Sequence, residues 1–178
     1  MREFPCVDAV REAHEVMELV LPTTRLRREW VDARDDWGPG LHEDGFGITA
    51  ADDVDSPAGF DAWVVRLRDE EARCASRWIV EDGRVLGGIA LRLGDDEFVR
   101  EHGHIGYGVR PSDRGRGVAT WALGRMLDIA RHRGMSSVLA VCETNNIASA
   151  KTLERSGGAP EYFKGAAVRR YRFDVGAR

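Results

Sequence analysis

Apolar residues recur with helical spacing between residues 118 and 132 of this chain. Six of them fall on one face of such a helix: Val118, Leu123, Met126, Leu127, Ile129 and Ala130. Gly134 then supplies a C-terminal stop signal. A second helix is predicted over residues 147–155, where Asn145 or Asn146 can act as N-cap. The apolar run between these helices, residues 136–142, predicts a buried strand.

Other short apolar runs predict strands before and after this pair of helices. They lie at residues 17–21, 77–80, 84–93, 105–109, 162–164 and 168–175. Asp82-Gly83 is a typical two-residue hairpin turn between the second and third of these runs. Because strands stand on both sides of the helices without regular alternation, the pattern indicates a mixed α/β (α+β) sheet, not a doubly wound one.

Two further helices are predicted in the first half of the chain. Thr23 or Thr24 can cap a helix that continues through Trp37. Ser56, followed by proline, can cap a helix that continues to about Arg73. The first sixteen residues allow an extra helix but do not require one.

The segment Arg114-Gly115-Arg116-Gly117-Val118-Ala119 carries the most informative chemistry. A glycine-rich turn that leads from a strand into a helix leaves N–H groups at the helix N-terminus without partners, and the helix dipole adds positive potential. Such a turn binds phosphate, and its glycines let the backbone approach the anion closely. Neither a P-loop lysine nor a G-x-G-x-x-G pattern is present, so the two common nucleotide fingerprints are excluded.

Two segments resemble signatures of the GNAT superfamily of acetyl-CoA-dependent N-acetyltransferases. Arg114-x-x-Gly117-x-Ala119 resembles its pyrophosphate-binding signature. Residues 146–157 are similar to the N-x-x-S-x-x-x-L-E-K-x-G pattern of a branch that includes the ribosomal-protein N-terminal acetyltransferases. The resemblance implies one domain over residues 1–178, with a mostly antiparallel sheet of about seven strands flanked by helices. It also implies an acceptor-side part over about 1–75 and an acetyl-CoA-binding core over about 84–158.

The same resemblance implies where the co-substrate acetyl-CoA binds. The strand before the glycine turn is expected to splay from its neighbour, so that the backbone of Tyr107, Gly108 and Val109 can bond the pantetheine arm. The pyrophosphate is expected on Arg114, Gly115, Arg116, Gly117, Val118 and Ala119. Asn146 resembles the family asparagine that bonds the cofactor arm, and Ser149 is expected either to face the pyrophosphate or to pack.

Two catalytic candidates follow from position and chemistry. His104 lies near where several members of the superfamily place a glutamate base, and imidazole can accept a proton near neutral pH. His102 would share a strand face with it. Glu143, just after the second core strand, can orient or deprotonate an acceptor amine, although a carboxylate there can also serve the following helix dipole. A structural role is the alternative for each of His104, His102 and Glu143.

The chain departs from the family pattern at Leu153, where many members carry a tyrosine general acid. Tyr107, Tyr162 or water are the alternatives for that role. Cys142 could form an acetyl-enzyme, but buried strand cysteines are usually inert, which favours direct attack in a ternary complex. Because the tyrosine acid is missing, the second hypothesis is a non-catalytic acyl-CoA-binding sensor or scaffold.

Charge is distributed unevenly over the 178 residues, whose net charge is −4. Residues 1–103 hold 24 acidic residues against 13 arginines, whereas residues 104–178 hold 6 acidic and 13 basic residues. A basic second half suits an anionic cofactor. Residues 35–61 hold eight acidic and no basic residues, which predicts either a solvated loop or an acidic lip that attracts a cationic acceptor.

Composition narrows the partners and the location. No apolar run is long enough to span a bilayer, no secretory signal is evident, and three widely spaced cysteines indicate neither disulfides nor a zinc site. We expect a cytoplasmic protein that binds no membrane and no nucleic acid, since a basic helix with interleaved aromatics is missing. The acceptor amine is expected on a cationic small molecule, an amino acid or a protein, and a homodimer is one alternative for assembly.

Overall fold

The structure, a computed structural model, describes residues 16–39, 45–161 and 167–176. Within these ranges the strands are β1 (Met17–Val20), β2 (Cys74–Glu81), β3 (Arg84–Arg92), β4 (Ile105–Val109), β5 (Ser137–Glu143), β6 (Ala159–Glu161) and β7 (Val168–Asp174). The α-helices are α1 (Arg27–Trp37), α2 (Pro57–Asp69), α3 (Glu97–His102), α4 (Val118–His132) and α5 (Ile147–Arg155). Short 3₁₀ turns occupy Thr24–Leu26 and Pro111–Asp113.

The strands form one sheet in the order β1-β2-β3-β4-β5-β7-β6. Neighbouring strands are antiparallel except for β4 and β5, which are parallel. The chain passes from β4 to β5 through α4, because a parallel pair needs a crossover connection of this kind. The mixed, mostly antiparallel sheet of about seven strands with flanking helices is confirmed.

Each face of the sheet packs against a different core. Along β2, Ala75 and Ile79 belong to a mainly aliphatic core with α4 and α5, whereas Trp78 and Val80 belong to a core with α1 and α2. The second core contains five buried aromatic rings: Trp30, Phe46, Phe60, Trp63 and Trp78. The sheet therefore separates the α4–α5 side of the molecule from the side that holds the first half of the chain.

Local capping and turn signals set several element ends as predicted. Ser56 caps α2, since its Oγ accepts the Gly59 N–H at 3.1 Å. Asn146 caps α5 through its side-chain oxygen. Asp82 and Gly83 have φ values of 49° and 79°, the left-handed conformation that a type I′ hairpin turn requires.

The ends of α2 and β2 differ from the sequence prediction. Helix α2 ends at Asp69, short of the predicted Arg73, and β2 begins at Cys74. The N–H groups of Arg73 and Cys74 both donate to the Glu70 carbonyl, at 2.8 Å each, so a tight turn replaces the last helical residues.

Helix α3 has no counterpart in the predicted elements. Asp96 caps it by accepting the Val99 N–H at 2.9 Å, and His102 is its last residue. His102 stacks on Phe98 with ring centroids 4.3 Å apart, so its predicted place on the strand of His104 is wrong. The strand predicted at 162–164 lies outside the described residues.

Among the described residues, no helix is long and apolar enough to cross a membrane. The same residues contain no group of three or more His, Cys, Asp or Glu side chains arranged to hold a metal ion.

Candidate active site

The gap between β4 and β5 defines the candidate site. Strand β4 pairs with β3 at five positions, but its register with β5 consists of Ile105 opposite Ala140. Within the described chain, residues 106–109 have no register partner in β5. The two strands therefore part just after Ile105, as the splayed strand of the sequence prediction requires.

A cavity of about 410 Å³ fills this gap between β4, the start of α4 and α5. It brings together these predicted cofactor residues: Tyr107, Gly108, Val109, Arg114, Gly115, Gly117, Val118, Ala119, Asn146 and Ser149. Arg116 does not line it. The residues come from three separate elements, so one continuous surface joins the strand, the glycine turn and the second helix.

The glycine turn has the geometry of an anion site. Gly115 and Gly117 have φ values of 80° and 84°, and a Cβ atom placed on either residue would meet no atom within 4 Å. Gly117 is the N-cap of α4, and in the part of the chain that the structure describes no side chain caps the first amides of this 15-residue helix. Those N–H groups and the helix dipole therefore remain available to a negatively charged ligand.

Three cationic side chains line the cavity: Arg114, Lys151 and Arg155. The Arg114 Nε donates to the Val109 carbonyl at 2.9 Å, which holds the guanidinium beside β4. None of the three forms an ion pair with a carboxylate in the described part of the chain. The cavity thus combines amide groups with positive charge, which suits a phosphate-rich ligand.

Arg116, by contrast, binds carboxylates of the protein. Its Nη1 lies 2.6 Å from Asp113 and its Nη2 lies 2.7 Å from Glu81, and these contacts raise the pKa of the guanidinium. Both acidic side chains are buried, with 6% and 8% of their surface exposed. Arg116 thereby fixes the glycine turn to the β2–β3 hairpin.

Tyr107 connects the strand to the second helix beside the cavity. Its hydroxyl lies 2.9 Å from Ser149 Oγ and donates to the Ser149 carbonyl at 3.4 Å. Asn146 Oδ1 accepts the Ser149 N–H at 3.0 Å. These contacts hold Asn146 and Ser149 at the cavity wall.

His104 is bound to β5 through two hydrogen bonds. Its backbone N–H donates to the Leu139 carbonyl at 2.7 Å, and its ring Nδ1 accepts the backbone N–H of Leu139 at 2.9 Å. Burial lowers the pKa of the imidazole, and Arg172 and Arg92 lower it further. A neutral ring whose Nδ1 accepts a hydrogen bond carries its proton on Nε2, so it can donate but has no free nitrogen to accept a proton. This geometry disfavours the predicted general-base role.

The other candidates among the described residues lie outside the cavity lining. Glu143 is exposed at the end of β5. Leu153 is 1% exposed in the core of α5, where the resemblance expects a tyrosine, and Cys142 is 5% exposed. Tyr162 lies outside the described residues. The sequence analysis does not identify Lys151, Arg155 and Asp113, which also line the cavity, although a spacing of four residues places the two basic residues on one face of α5.

A family model agrees with this geometry. The model of the acetyltransferase (GNAT) family matches residues 47–158. The chain belongs to the GNAT family. Acetyl-CoA is the co-substrate of this family, and the match includes the splayed strand, the glycine turn and α5.

Solved structures share the fold at low sequence identity. Mycobacterium smegmatis RimJ in complex with CoA-disulfide is 21% identical, with a TM-score of 0.69 over 90% of this chain and 82% of that one. The microcin C7 self-immunity acetyltransferase MccE, in complex with acetyl-CoA and AMP, is 14% identical, with a TM-score of 0.68 over 90% and 93%. RimL, a ribosomal L7/L12 alpha-N-protein acetyltransferase in complex with CoA, is 16% identical, with a TM-score of 0.67 over 89% and 93%. No curated protein sequence matches this chain at a significant level.

Proposed function

We propose that this protein transfers an acetyl group from acetyl-CoA to a primary amine, by direct attack in a ternary complex. The observation that carries the proposal is the continuous cavity that leads from the gap between β4 and β5 to the glycine turn. The gap exposes main-chain groups to an extended arm, the turn offers amides to phosphates, and three cations line the cavity around it.

The placement of acetyl-CoA follows from the two ends of this cavity. The pyrophosphate would bind the first turn of α4 at Gly115 and Gly117, with Lys151 and Arg155 on the opposite wall. The pantetheine arm would run along Tyr107, Gly108 and Val109 toward the Ile105–Ala140 pair. The thioester would then lie where the strands meet, open to an amine from the other face of the sheet.

The chemistry requires a neutral amine and a proton for the departing sulfur. The amine nitrogen attacks the thioester carbonyl carbon, an N–C bond forms, the C–S bond breaks, and the thiolate takes up a proton. Because the amine loses one proton in the same reaction, protons balance. We assign amine deprotonation to water or Glu143, and protonation of the thiolate to water or Tyr107.

His104 would act as a neutral hydrogen-bond donor to the reacting groups through Nε2, without giving up or taking up a proton. His104→Asn keeps an acceptor for the Leu139 N–H and removes Nε2–H, whereas His104→Leu removes both. We expect the asparagine variant to keep parental stability and acetyl-CoA affinity while kcat falls. Parental kcat in that variant would rule out the donor role.

The first experiment is calorimetric titration with acetyl-CoA, with Gly117→Glu as the test variant. Gly134→Glu is the matched control, because Gly134 has a φ of 78° against 84° at Gly117 and a Cβ atom at either position has no atom within 4 Å. A carboxylate facing the phosphates should weaken binding about tenfold or more, since like charges in contact cost several kcal/mol. Equal affinity of both variants would refute the placement.

The alternative is an acyl-CoA-binding sensor or scaffold, which is favoured by Leu153 in place of the tyrosine acid. Measured turnover distinguishes an enzyme from such a sensor. Release of free thiol is measured with amines of each expected class: cationic small molecules, amino acids and peptides. Binding of acetyl-CoA without thiol release from any of them would favour the sensor.

A further inference from the structure

Arg92 lies near the end of the gap at which β4 and β5 meet, on the face of the sheet opposite the CoA cavity. Arg92 ends β3, next to Leu91, which belongs to the α4–α5 core and pairs with Ile105. Alternation along the strand therefore points Arg92 to the face opposite the CoA cavity. A methyl group on Gly106 would lie 3.6 Å from Nη2 of Arg92, so the guanidinium covers that glycine.

Gly106 is the first residue of β4 beyond the Ile105–Ala140 pair. The strands begin to part there, and the proposed path of the pantetheine arm ends there. Because glycine has no side chain, nothing at this position separates the guanidinium from the β4 backbone. Arg92 therefore stands where an acceptor would approach the thioester from the side opposite the cofactor.

Arg92 has no carboxylate partner in the described part of the chain. Its Nη1 donates to the Gly103 carbonyl at 3.0 Å, and its guanidinium lies 5.0 Å from the centre of the Phe98 ring. Arg66, Arg77 and Arg110, by contrast, each bind carboxylates.

Two acidic residues that come shortly before Cys74, the partner of Arg92 in β2, are engaged elsewhere. Glu71 binds Arg77 and Arg133, at 2.7 and 2.6 Å, and Glu70 binds Arg66 at 2.9 Å. Asp95 is exposed and forms no ion pair among the described residues. The planar guanidinium thus keeps donors for a ligand, in the geometry that a carboxylate accepts best.

We propose that Arg92 binds a carboxylate of the acceptor, so that the acceptor is an amine that also carries a carboxylate. This inference rests on the proposed acetyl transfer. The carboxylate can come from a free amino acid or from an acidic side chain of a peptide. In either case the ion pair would hold the amine near Gly106, at the end of the cofactor arm.

The test compares amino acids with their amides, using the full chain and measuring thiol release. The variant is Arg92→Gln, with Arg92→Lys as the conservative variant. Arg172→Gln is the matched control, because Arg172 faces the same side but is bound to Glu161 at 2.5 Å. Peptides with an amidated C-terminus, with and without an acidic second residue, separate a side-chain carboxylate from a free α-carboxylate.

We expect the parent to prefer one carboxylate-bearing acceptor over its amide by about tenfold or more in kcat/KM, since a site built to bond a group rejects an analogue that lacks it. Arg92→Gln should abolish this preference mainly through KM of the acceptor, with unchanged acetyl-CoA affinity. Arg92→Lys should restore part of it, and Arg172→Gln should retain it.

Two results would overturn the inference while acetyl transfer stands: equal use of acid and amide by the parent, or an unchanged preference in Arg92→Gln. Acetyl-CoA binding without acetylation of any amine would instead remove the proposed function, and the inference with it.

Discussion

Replacing Arg110 by methionine tests how firmly buried charges hold α1 against the sheet. Arg110 follows β4 directly and is 8% exposed. Its Nη1 donates to Asp32 at 2.8 Å and its Nε donates to Asp36 at 2.9 Å, both on α1. Its Nε also lies 3.7 Å from Asp113, which is 6% exposed. Methionine keeps the apolar stem of the side chain and removes the charge.

The expected loss is about 2–3 kcal/mol in the free energy of unfolding. Removing one partner of a fully buried ion pair costs about 3–5 kcal/mol. The loss should be smaller here because Asp32 and Asp36 are 69% and 24% exposed and can be hydrated. Asp113 also keeps Arg116, at 2.6 Å.

Urea unfolding of the parent, Arg110→Met and Arg125→Met measures this loss. Arg125 is a suitable control because it is 62% exposed and lies 3.8 Å from Asp128, an arrangement worth less than about 0.5 kcal/mol. For a chain of this length, 2–3 kcal/mol corresponds to a fall of roughly 5–10 °C in Tm. If Arg110→Met loses no more than Arg125→Met, the network does not hold α1 in place.

Two further predictions concern pH and added volume. Hydrogen bonds from Arg110 and Ser112 lower the pKa of Asp36 from 3.8 to about 2, so its stabilisation is complete above pH 4 and is lost as the pH falls toward 2. Asp36→Asn should cost about 1–2 kcal/mol at pH 7 and flatten urea-derived stability over that range; an unchanged pH dependence would contradict this. Gly88→Ala would place a methyl group 2.6 Å from buried Phe46 and should cost about 1–3 kcal/mol, whereas Gly124→Ala, on the exposed side of α4 with open space around it, should stabilise by about 0.5–1 kcal/mol. Thermal unfolding compares the two alanine variants, and an equal Tm would refute the packing argument.

Local signals explain why the CoA side of the fold was predictable. The stop glycine after α4, the asparagine cap of α5 and the Asp-Gly turn each act through their own backbone or through residues a few positions away. The glycine turn is equally local, since its anion site is formed by consecutive amides. Helix α3 was missed because six residues are too few to show periodicity, and its buried anchor Val99 packs only in the tertiary structure.

Side-chain partners across the sheet were not predictable. From the sequence, Arg116 was expected at a phosphate, but its partner Glu81 is 35 residues away in the chain. His104 was expected to accept a proton, but Leu139, also 35 residues away, occupies its Nδ1. Both outcomes depend on which strand lies next to which, and short-range patterns do not contain that information.

The same reasoning changes the expectation about the acceptor. The acidic segment 35–61 allows an acidic lip for a cationic acceptor, but four of its carboxylates have partners within the fold: Asp36 binds Arg110, Asp52 binds Arg66, Asp55 binds Arg34, and Asp53 bonds Ser56. These carboxylates therefore stabilise the positions of α1 and α2. Their attraction for a cationic acceptor is largely screened beyond a Debye length of about 8 Å. Arg92, at the meeting point of β4 and β5, has no such partner among the described residues. The contacts nearest the proposed reaction centre thus favour an acceptor with a negative group close to its amine.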